Sequence, residues 1–313
     1  MVSNKKCKKV LITIIISILI FAIVSFTATK IIYDNIFTRY DCSITVNDDK
    51  IKELVNTRDN FKYPSGDHSL SGYLYKTNKT SKETLIILAP GFAACSDSYL
   101  WQIYELLEYG WSVFAFDPTG SCGSEGDSSI GFPQEILDLK ATLNFIENNN
   151  KLDYNNIVLM GHSRGGYAAC CTLNYEYDIS AVISVSGINS AMDGIIGSSK
   201  NYVGNLAYAN YGFLWLYQTM LFGSDTVNLR ADKILSESDV PTLIIHGEDD
   251  ESVPIDEHSI ISHKDEINND NVQYIVCSAP QNSGHTNLLF DKDGTADNHL
   301  IKEINDFLIK NIK

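Results

Sequence analysis

A serine between glycines is the residue of this sequence best placed to do chemistry. Residues 161–165 read Gly-His-Ser-Arg-Gly, and the apolar run Asn-Ile-Val-Leu-Met precedes them, while a helix-compatible segment follows Gly166. Between a strand and a helix, a G-x-S-x-G pattern forms a strained turn that exposes the serine hydroxyl, and side chains at the glycine positions would collide with neighbouring strands. The sequence therefore predicts Ser163 as a nucleophile. The alternative is a glycine-rich turn with an incidental serine.

A serine hydroxyl is a weak nucleophile at neutral pH, so a general base must accept its proton and a carboxylate must orient that base. The segment His-Gly-Glu-Asp-Asp-Glu-Ser-Val-Pro at 246–254 follows the apolar run Thr-Leu-Ile-Ile, and its acids should emerge at the sheet edge that carries Ser163. Asp250 is the predicted acid, while Glu248 and Asp249 remain alternatives. If these acids have no catalytic role, they form a solvated acidic turn or a cation site.

His285 is the histidine best placed to act as the base. It lies in the loop Asn-Ser-Gly-His-Thr-Asn at 282–287, after the last predicted strand and before the last predicted helix. It also follows the serine and the acid along the chain, which is the order that accompanies this type of serine turn. The other histidines lie before a strand, inside the turn, at a strand end or in helix-compatible segments: His68, His162, His246, His258, His263 and His299.

Acyl transfer to serine also requires two hydrogen-bond donors for the oxyanion of the tetrahedral intermediate. The backbone N–H of Arg164, directly after the serine, is the first predicted donor. The second should come from the loop Pro-Gly-Phe-Ala at 90–93, which follows the apolar run Thr-Leu-Ile-Ile-Leu-Ala, and the N–H of Phe92 is the predicted donor. An ordinary turn that uses the backbone freedom of Gly91 is compatible with this role.

Short apolar runs separated by helix-compatible segments predict the elements that position these residues. Continuous apolar strands are typical of a mostly parallel sheet covered by helices on both faces, whose ligands bind beyond the carboxyl ends of the strands. Apolar residues at helical spacing between 300 and 312 predict an amphipathic closing helix. The predicted strands are residues 70–76, 84–90, 112–118, 156–162, 181–187, 241–247 and 273–279.

The gap between the runs at 181–187 and 241–247 is too long for a simple crossover. We expect a cap insertion at about 188–240, lying over the strand ends. Its segment 201–223 is dense in Tyr, Phe and Trp. Each ring by itself is best explained by packing of the cap on the sheet, but as a set the rings favour a partly apolar substrate.

An apolar stretch near the amino terminus predicts a membrane anchor. Residues 10–29 carry no charge, and about 20 apolar residues suffice for a helix to cross the hydrocarbon layer. Lysines are concentrated in the preceding segment 1–9, so the positive-inside rule leaves that segment in the cytoplasm and the folded domain 61–313 outside. Residues 30–60 are interpreted as a stalk. A cleaved signal peptide is the alternative, although its apolar region is usually shorter and ends at small residues.

Composition and charge argue against several other classes of protein. The chain has a formal net charge of −15, and the first 30 residues carry five lysines and no acid, which leaves −20 for the rest. A field of that sign disfavours nucleic acid as a partner and mildly disfavours anionic substrates. The sequence shows no dinucleotide fingerprint, no phosphate-binding glycine loop and no metal-ligand spacing. We therefore expect no cofactor and no metal.

The seven cysteines form no CxxC pair. Cys170 and Cys171 are adjacent in a predicted helix and are expected to be buried as small apolar residues. Cys95 and Cys122 lie in two loops that should both reach the active-site face. Disulfides form in oxidising compartments, so the sequence leaves open whether these two cysteines are bonded to each other.

Four motifs in order resemble those of the α/β-hydrolase superfamily, in particular its monoacylglycerol-lipase-like and serine aminopeptidase-like branch. They are Gly-Tyr-Leu-Tyr-Lys leading into Leu-Ala-Pro-Gly-Phe, then Phe-Asp-Pro-Thr-Gly-Ser-Cys-Gly-Ser-Glu-Gly, then Gly-His-Ser-Arg-Gly-Gly, and finally His-Gly-Glu-Asp-Asp-Glu-Ser-Val-Pro followed by Gly-His. The resemblance covers residues 61–313 and implies the α/β-hydrolase fold. In this family the acid stands three residues before Val-Pro, which is Asp250 in this sequence.

The chain departs from the family pattern in the loop before Phe92, where Pro90-Gly91 stands in place of His-Gly. The backbone donor survives this change, but the imidazole that commonly braces the loop is missing. The anchor is a second departure from the many soluble members. It implies action outside the cytoplasm or at the membrane surface.

Together these features predict a serine hydrolase that cleaves carboxylic esters of small or lipid-like molecules through an acyl-enzyme. An aminopeptidase or amidase, and an acyltransferase, would use the same triad. A non-catalytic extracellular binding module is the alternative from a different class, because a fold alone does not determine function.

Overall fold

The computed structural model describes residues 2–42, 47–80, 83–204, 206–279, 281–290 and 295–312. Its helices are α1 (Val2–Ile36), α2 (Asp49–Thr57), α3 (Leu100–Glu108), α4 (Gln134–Glu147), α5 (Arg164–Thr172), α6 (Ala191–Val203), α7 (Leu206–Ala209), α8 (Tyr211–Phe222), α9 (Ser224–Val227), α10 (Ala231–Glu237) and α11 (Asn298–Asn311). Single turns of 3-10 helix lie at Ser96–Tyr99, Ile261–His263 and Asn287–Leu289.

The central sheet contains the strands β1 (Asp59–Ser65), β2 (His68–Tyr75), β3 (Thr84–Ala89), β4 (Ser112–Asp117), β5 (Asn156–His162), β6 (Ala181–Val185), β7 (Thr242–Gly247) and β8 (Val272–Cys277). They lie in the order β1-β2-β4-β3-β5-β6-β7-β8. β2 pairs antiparallel with both β1 and β4, and the other pairs are parallel. The predicted mostly parallel sheet is confirmed. β1 was not predicted, because its sequence Asp-Asn-Phe-Lys-Tyr-Pro-Ser lacks a continuous apolar run.

Helices cover both faces of the sheet, as the apolar strands require. Every residue of β3, β4, β6 and β7 is buried. One face packs against α4 and α5, with Leu139 and Ala168 in its core. The opposite face packs against α3 and α11, with Ile103 and Ile304 in its core. Because the strands are buried on both sides, their sequences contain apolar residues without alternation.

The parallel strands bring distant segments to one edge of the sheet. β3, β5 and β7 end at Ala89, His162 and Gly247, and the carboxyl ends of parallel strands meet at the same edge. The loops that follow these strands carry Phe92, Ser163 and Asp250. Between β6 and β7, the helices α6 to α10 form an insertion over this edge.

The segment 30–60 differs from the predicted stalk at its amino-terminal end. α1 continues as far as Ile36. Tyr33 and Phe37 are each only 1% exposed and belong to the same core as α4 and α5. The ring of Phe37 packs edge-on against the rings of Phe92 and Phe132, at centroid distances of 5.4 and 5.2 Å. This end of the segment is therefore packed on the domain.

The carboxyl-terminal half of the same segment is also packed. The Asp48 carboxylate accepts a hydrogen bond from the N–H of Lys50 and caps α2, which buries Ile51 and Leu54 against the sheet. Residues 43–46 lie outside the described residues. Ile51 and Leu54 stand three residues apart, which is helical spacing, but the pattern is short because the helix has nine residues.

Substitution of Phe37 tests this packing. We expect Phe37→Ala to destabilise the protein by about 3–5 kcal/mol, because it deletes a buried ring and leaves a cavity. Thermal unfolding of the detergent-solubilised chain measures the loss as a lower Tm. Ile32→Ala, on a part of α1 that is 40% exposed, is the matched control and should change Tm little. Equal Tm values for the two variants would mean that the segment does not pack as described.

Candidate active site

The turn at Ser163 joins β5 directly to α5. Ser163 has φ of 55° and ψ of −114°, a left-handed conformation that side chains other than glycine rarely adopt. Its N–H donates to the carbonyl of Val185 at 2.8 Å, which ties the turn to β6. A Cβ atom at Gly161 would collide with the Gly165 carbonyl, and one at Gly165 would collide with the Ala89 carbonyl. The two flanking glycines are therefore required by close backbone packing.

Asp250 and His285 are joined by a hydrogen bond. The Nδ1 atom of His285 lies 2.8 Å from Oδ2 of Asp250. The other carboxylate oxygen, Oδ1, accepts the backbone N–H groups of Ser252 and Val253 at 3.0 and 2.8 Å. Burial acts to raise the pKa of Asp250, but the hydrogen bond and charge of His285 lower it overall. The carboxylate is thus held ionised beside the imidazole.

The neighbouring acids Glu248 and Asp249 differ from Asp250 in exposure and in contacts. Glu248 and Asp249 are exposed, whereas Asp250 is buried. Asp249 accepts a hydrogen bond from the Ser283 hydroxyl at 2.7 Å and so holds the loop that precedes His285. Of the three acids left open by the sequence, the structure brings Asp250 to the imidazole.

Ser163 and His285 line the same cavity. Its volume is about 800 Å³, and it is open to solvent on one side. Phe92 and the last turn of α1 contribute to its wall, as does the cap helix α6 through Asp193. The Ser163 side chain is largely buried at the cavity floor, with 7% of the residue exposed.

The predicted oxyanion donors lie on either side of Ser163. Arg164 is the first residue of α5, and the N–H at that position has no partner within its own helix. Phe92 lies in the loop after β3, next to Ala93, which adopts a left-handed φ of 52°. Phe92 and Ser163 line the same cavity, and the binding of an oxyanion by the N–H groups of Phe92 and Arg164 stays a prediction.

The side chain of Arg164 forms an ion pair beneath this floor. Its guanidinium lies 2.7 Å from Oε2 of Glu135, and both side chains are almost fully buried. Burial raises the pKa of Glu135 to about 8, although the charge of Arg164 acts to lower it. Glu135 has no signature in the sequence, because it lies on α4, far from the serine motif along the chain.

A chain of hydrogen bonds braces the loop after β3, in which Pro90 stands where the family pattern has a histidine. The hydroxyl of Tyr99 accepts the Gly91 N–H at 2.9 Å and lies 3.0 Å from Nδ1 of His162. Nε2 of His162 lies 3.1 Å from the carbonyl of His285. The pKa of His162 is lowered to about 3, first by burial and then by the neighbouring His285, so its ring is neutral.

A neutral ring allows one consistent direction of donation along this chain. Gly91 donates to Tyr99, Tyr99 donates to Nδ1 of His162, and Nε2–H of His162 donates to the backbone of His285. The oxyanion loop and the loop of His285 are thereby held at a fixed separation. Sequence reasoning treated His162 as a variable residue of the turn and did not single out Tyr99. Only the adjacency of His162 to Ser163 could have indicated its role.

The buried pair of Arg164 and Glu135 generates a prediction. At a pH above about 8, where Glu135 is ionised, Glu135→Gln preserves the shape of the side chain but leaves a buried guanidinium without its counter-charge, which costs about 3–5 kcal/mol. We therefore expect a marked fall in Tm. Glu108→Gln is the control, because Glu108 pairs with the exposed Lys79 and such surface pairs contribute about 0–1 kcal/mol. If the two substitutions lower Tm equally, the buried ion pair contributes no more to stability than the exposed one.

Comparisons with known proteins agree with this architecture. A family model described as alpha/beta hydrolase fold matches residues 84–211. The quorum-quenching protein AidA of Acinetobacter baumannii (strain MDR-ZJ06) is 27% identical over 138 residues, which are 42% of this chain and 45% of that protein. The match thus spans less than half the length of this relative.

Solved structures share the fold at low sequence identity. The esterase Pf2001 of Pyrococcus furiosus superimposes with a TM-score of 0.64 at 20% identity and covers 88% of this chain and 100% of that one. Est1E of Butyrivibrio proteoclasticus, solved with ferulic acid bound, has a TM-score of 0.57 at 18% identity and covers 80% of this chain and 99% of that one. The sheet order, the strained serine turn and the family model over residues 84–211 agree, and the chain has the α/β-hydrolase fold.

Proposed function

We propose that this protein is a serine hydrolase that cleaves carboxylic esters through an acyl-enzyme. The observation that carries the proposal is the hydrogen bond between His285 and Asp250, in a cavity shared with the strained turn of Ser163. An imidazole held by a buried carboxylate is the arrangement that activates a serine hydroxyl. Esterases among the solved structures of the same fold support the ester as the bond that is cleaved.

In the first half of the reaction, Oγ of Ser163 attacks the ester carbonyl while Nε2 of His285 accepts the hydroxyl proton. Nδ1–H of His285 donates to Asp250 throughout, so the imidazolium that forms is stabilised. The N–H groups of Phe92 and Arg164 bind the oxyanion. The imidazolium then returns its proton to the leaving alcohol. In the second half, water attacks the acyl-enzyme by the same steps.

The hydrogen-bond chain through Tyr99 and His162 contributes by positioning. It connects the loop of the oxyanion donor Phe92 to the backbone of the base His285. Transition-state stabilisation depends on preorganised donors, and small displacements of such groups reduce the rate strongly. Tyr99 and His162 are therefore positioning residues, and neither takes part in proton transfer.

A membrane location is part of the proposal. α1 is long and apolar enough to cross a membrane by its length and composition, over Lys6–Ile36. The lysines before it place the amino terminus in the cytoplasm, with the catalytic domain on the extracytoplasmic side. The packing of Tyr33 and Phe37 on the domain favours an uncleaved anchor, because cleavage at the end of the apolar stretch would remove the helix that leads into this packing.

The cap helix α8 packs against the end of this anchor. The ring of Tyr217 contacts Phe26 and Tyr33 at centroid distances of 5.9 and 5.2 Å, and its hydroxyl donates to Asp34 at 2.6 Å. α8 contains no charged residue. Leu216 and Met220, one turn apart, are 43% and 67% exposed. An apolar helix with one exposed face beside a membrane span is suited to the bilayer surface.

This arrangement supports a lipid-like substrate. Asn35 and Ile36, in the last turn of α1, line the cavity that contains Ser163. At a rise of about 1.5 Å per residue, Asn35 lies about 9 Å beyond Thr29, the end of the apolar stretch, which is just outside a headgroup layer of about 5–8 Å. The cavity would therefore open at the membrane surface, where amphiphiles can enter it.

Ser163→Ala tests the proposed chemistry. The wild-type chain should hydrolyse a p-nitrophenyl ester and react with a fluorophosphonate probe, and both activities should be lost in the variant because the attacking oxygen is absent. Ser252→Ala, beside the acid, is the control and should retain labelling. A folded wild-type protein that neither turns over nor labels would favour the binding-module alternative. Faster hydrolysis of a matched aminoacyl anilide than of the ester would show that the preferred substrate is an amide.

The same probe tests the orientation. A membrane-impermeant fluorophosphonate should label Ser163 in intact cells to the same extent as in lysed cells. Labelling that appears only after lysis would place the catalytic domain in the cytoplasm.

Tyr99→Phe tests the positioning chain. The substitution preserves the ring but removes the hydroxyl that links Gly91 to His162. We expect kcat on a soluble ester to fall about tenfold or more, with KM nearly unchanged, because only the transition state depends on the aligned oxyanion donor. Steady-state kinetics measure both constants. Tyr104→Phe, on the neighbouring helix α3, is the control. An unchanged kcat in a folded Tyr99→Phe protein would contradict the positioning role.

A further inference from the structure

Three cysteines from separate parts of the chain meet beside the active-site loops. Cys42 ends the amino-terminal arm, which we define as residues 37–42 after α1. Cys95 follows the loop of Gly91 and Phe92, and Cys122 lies in the loop after β4. Their Sγ atoms lie within 4.8 Å of one another, and none of the three forms a disulfide. Cys95 is buried and the other two are half-buried. The hydrolase mechanism uses none of these thiols.

The segments that carry the cysteines are firmly held. Arg39 donates to the carbonyl oxygens of Cys122 and Gly126 at 2.7 and 2.9 Å. The backbone of Tyr40 exchanges hydrogen bonds with the same loop, because its N–H donates to Gly120 and its carbonyl accepts from Cys122. Cys122 itself adopts a left-handed φ of 40°. Such strain in a residue other than glycine persists only where the surroundings enforce it, and it is common at functional sites.

One of the sulfur atoms accepts a hydrogen bond from a neighbouring backbone group. The backbone N–H of Cys42 donates to Sγ of Cys122 at 3.1 Å. Donors directed at sulfur stabilise a thiolate and orient it as a ligand.

The spacing and the number of thiols fit a metal better than a disulfide. A disulfide joins two sulfur atoms at about 2.0 Å and would leave the third thiol without a role. Thiolates bound to one ion at about 2.3 Å lie about 4 Å from one another, which is compatible with three sulfur atoms that all lie within 4.8 Å of one another. Among the described residues, the cluster contains no fourth histidine, cysteine or carboxylate ligand. A three-sulfur site without a fourth protein ligand suits a soft ion of low coordination number, whereas structural zinc almost always has four ligands.

We propose that Cys42, Cys95 and Cys122 form a three-thiolate binding site for Cu(I). Each thiol loses its proton to solvent as its sulfur bonds the ion, and the oxidation state of the copper does not change. The bound ion would connect the arm that follows the membrane anchor to the loops after β3 and β4.

Titration of the full chain with Cu(I) tests the site. The detergent-solubilised protein is titrated without oxygen, in competition with the chromophoric chelator bicinchoninate. We expect one Cu(I) per chain and a higher Tm on binding. Cys95→Ser should weaken the affinity more than about tenfold, because it removes one of three ligands. Cys277→Ser, at a half-buried cysteine outside the cluster, is the control and should bind as the wild type does.

X-ray absorption of the copper-loaded wild type provides a readout that does not depend on the folding of a variant. Three sulfur ligands support the proposal, and two or fewer overturn it. Binding by Cys95→Ser that equals the wild type also overturns it, as does a protein of native origin whose mass shows a disulfide between two of the three cysteines. Ser163→Ala should bind Cu(I) normally, so failure of the copper site and failure of the proposed hydrolase activity can be told apart.

Discussion

The strained turn at Ser163 is the constraint on which the rest of the site depends. A left-handed serine between a strand and a helix is stable only if α5 approaches the backbone of β3 and β5 closely. That approach requires glycine at 161 and 165, and it requires the adjacent parallel strands that hold the turn on both sides. The helix start beneath Ser163 then provides the N–H of Arg164, while its side chain is anchored by Glu135.

The loops around this turn are connected by buried polar groups. Asp250 holds the ring of His285 from one side, and His162 holds its backbone from the other. Tyr99 extends this connection to Gly91, so the loop after β3 and the loop of His285 belong to one hydrogen-bonded unit. Buried polar chains of this kind are stabilising only when every member has a partner, which explains how the loop keeps its shape with Pro90 in place of histidine.

The amino-terminal helix α1 is packed on the domain that follows it. Its last turns contact the helix α8 and the cavity wall, and Phe37, directly after it, contacts the ring of Phe92. The segment after it reaches the cysteine cluster through Arg39 and Cys42. The proposed membrane attachment, the position of α8 and the shape of the cavity are therefore connected through residues 26–42. A soluble domain that begins at residue 61 would lack all of these contacts.

The parallel sheet and the helices on its two faces could be predicted from the sequence, because buried strands and amphipathic helices leave local patterns of apolar residues. A glycine pattern, chain order and a family motif also indicated Ser163, Asp250 and His285, and as a catalytic set these residues stay predictions. The three-dimensional structure showed that Asp250, and not Asp249 or Glu248, meets the imidazole. It alone revealed Glu135, Tyr99, the packing of Phe37 and the three cysteines, because these contacts join residues far apart in the chain and depend on three-dimensional proximity, which leaves no periodicity in the sequence.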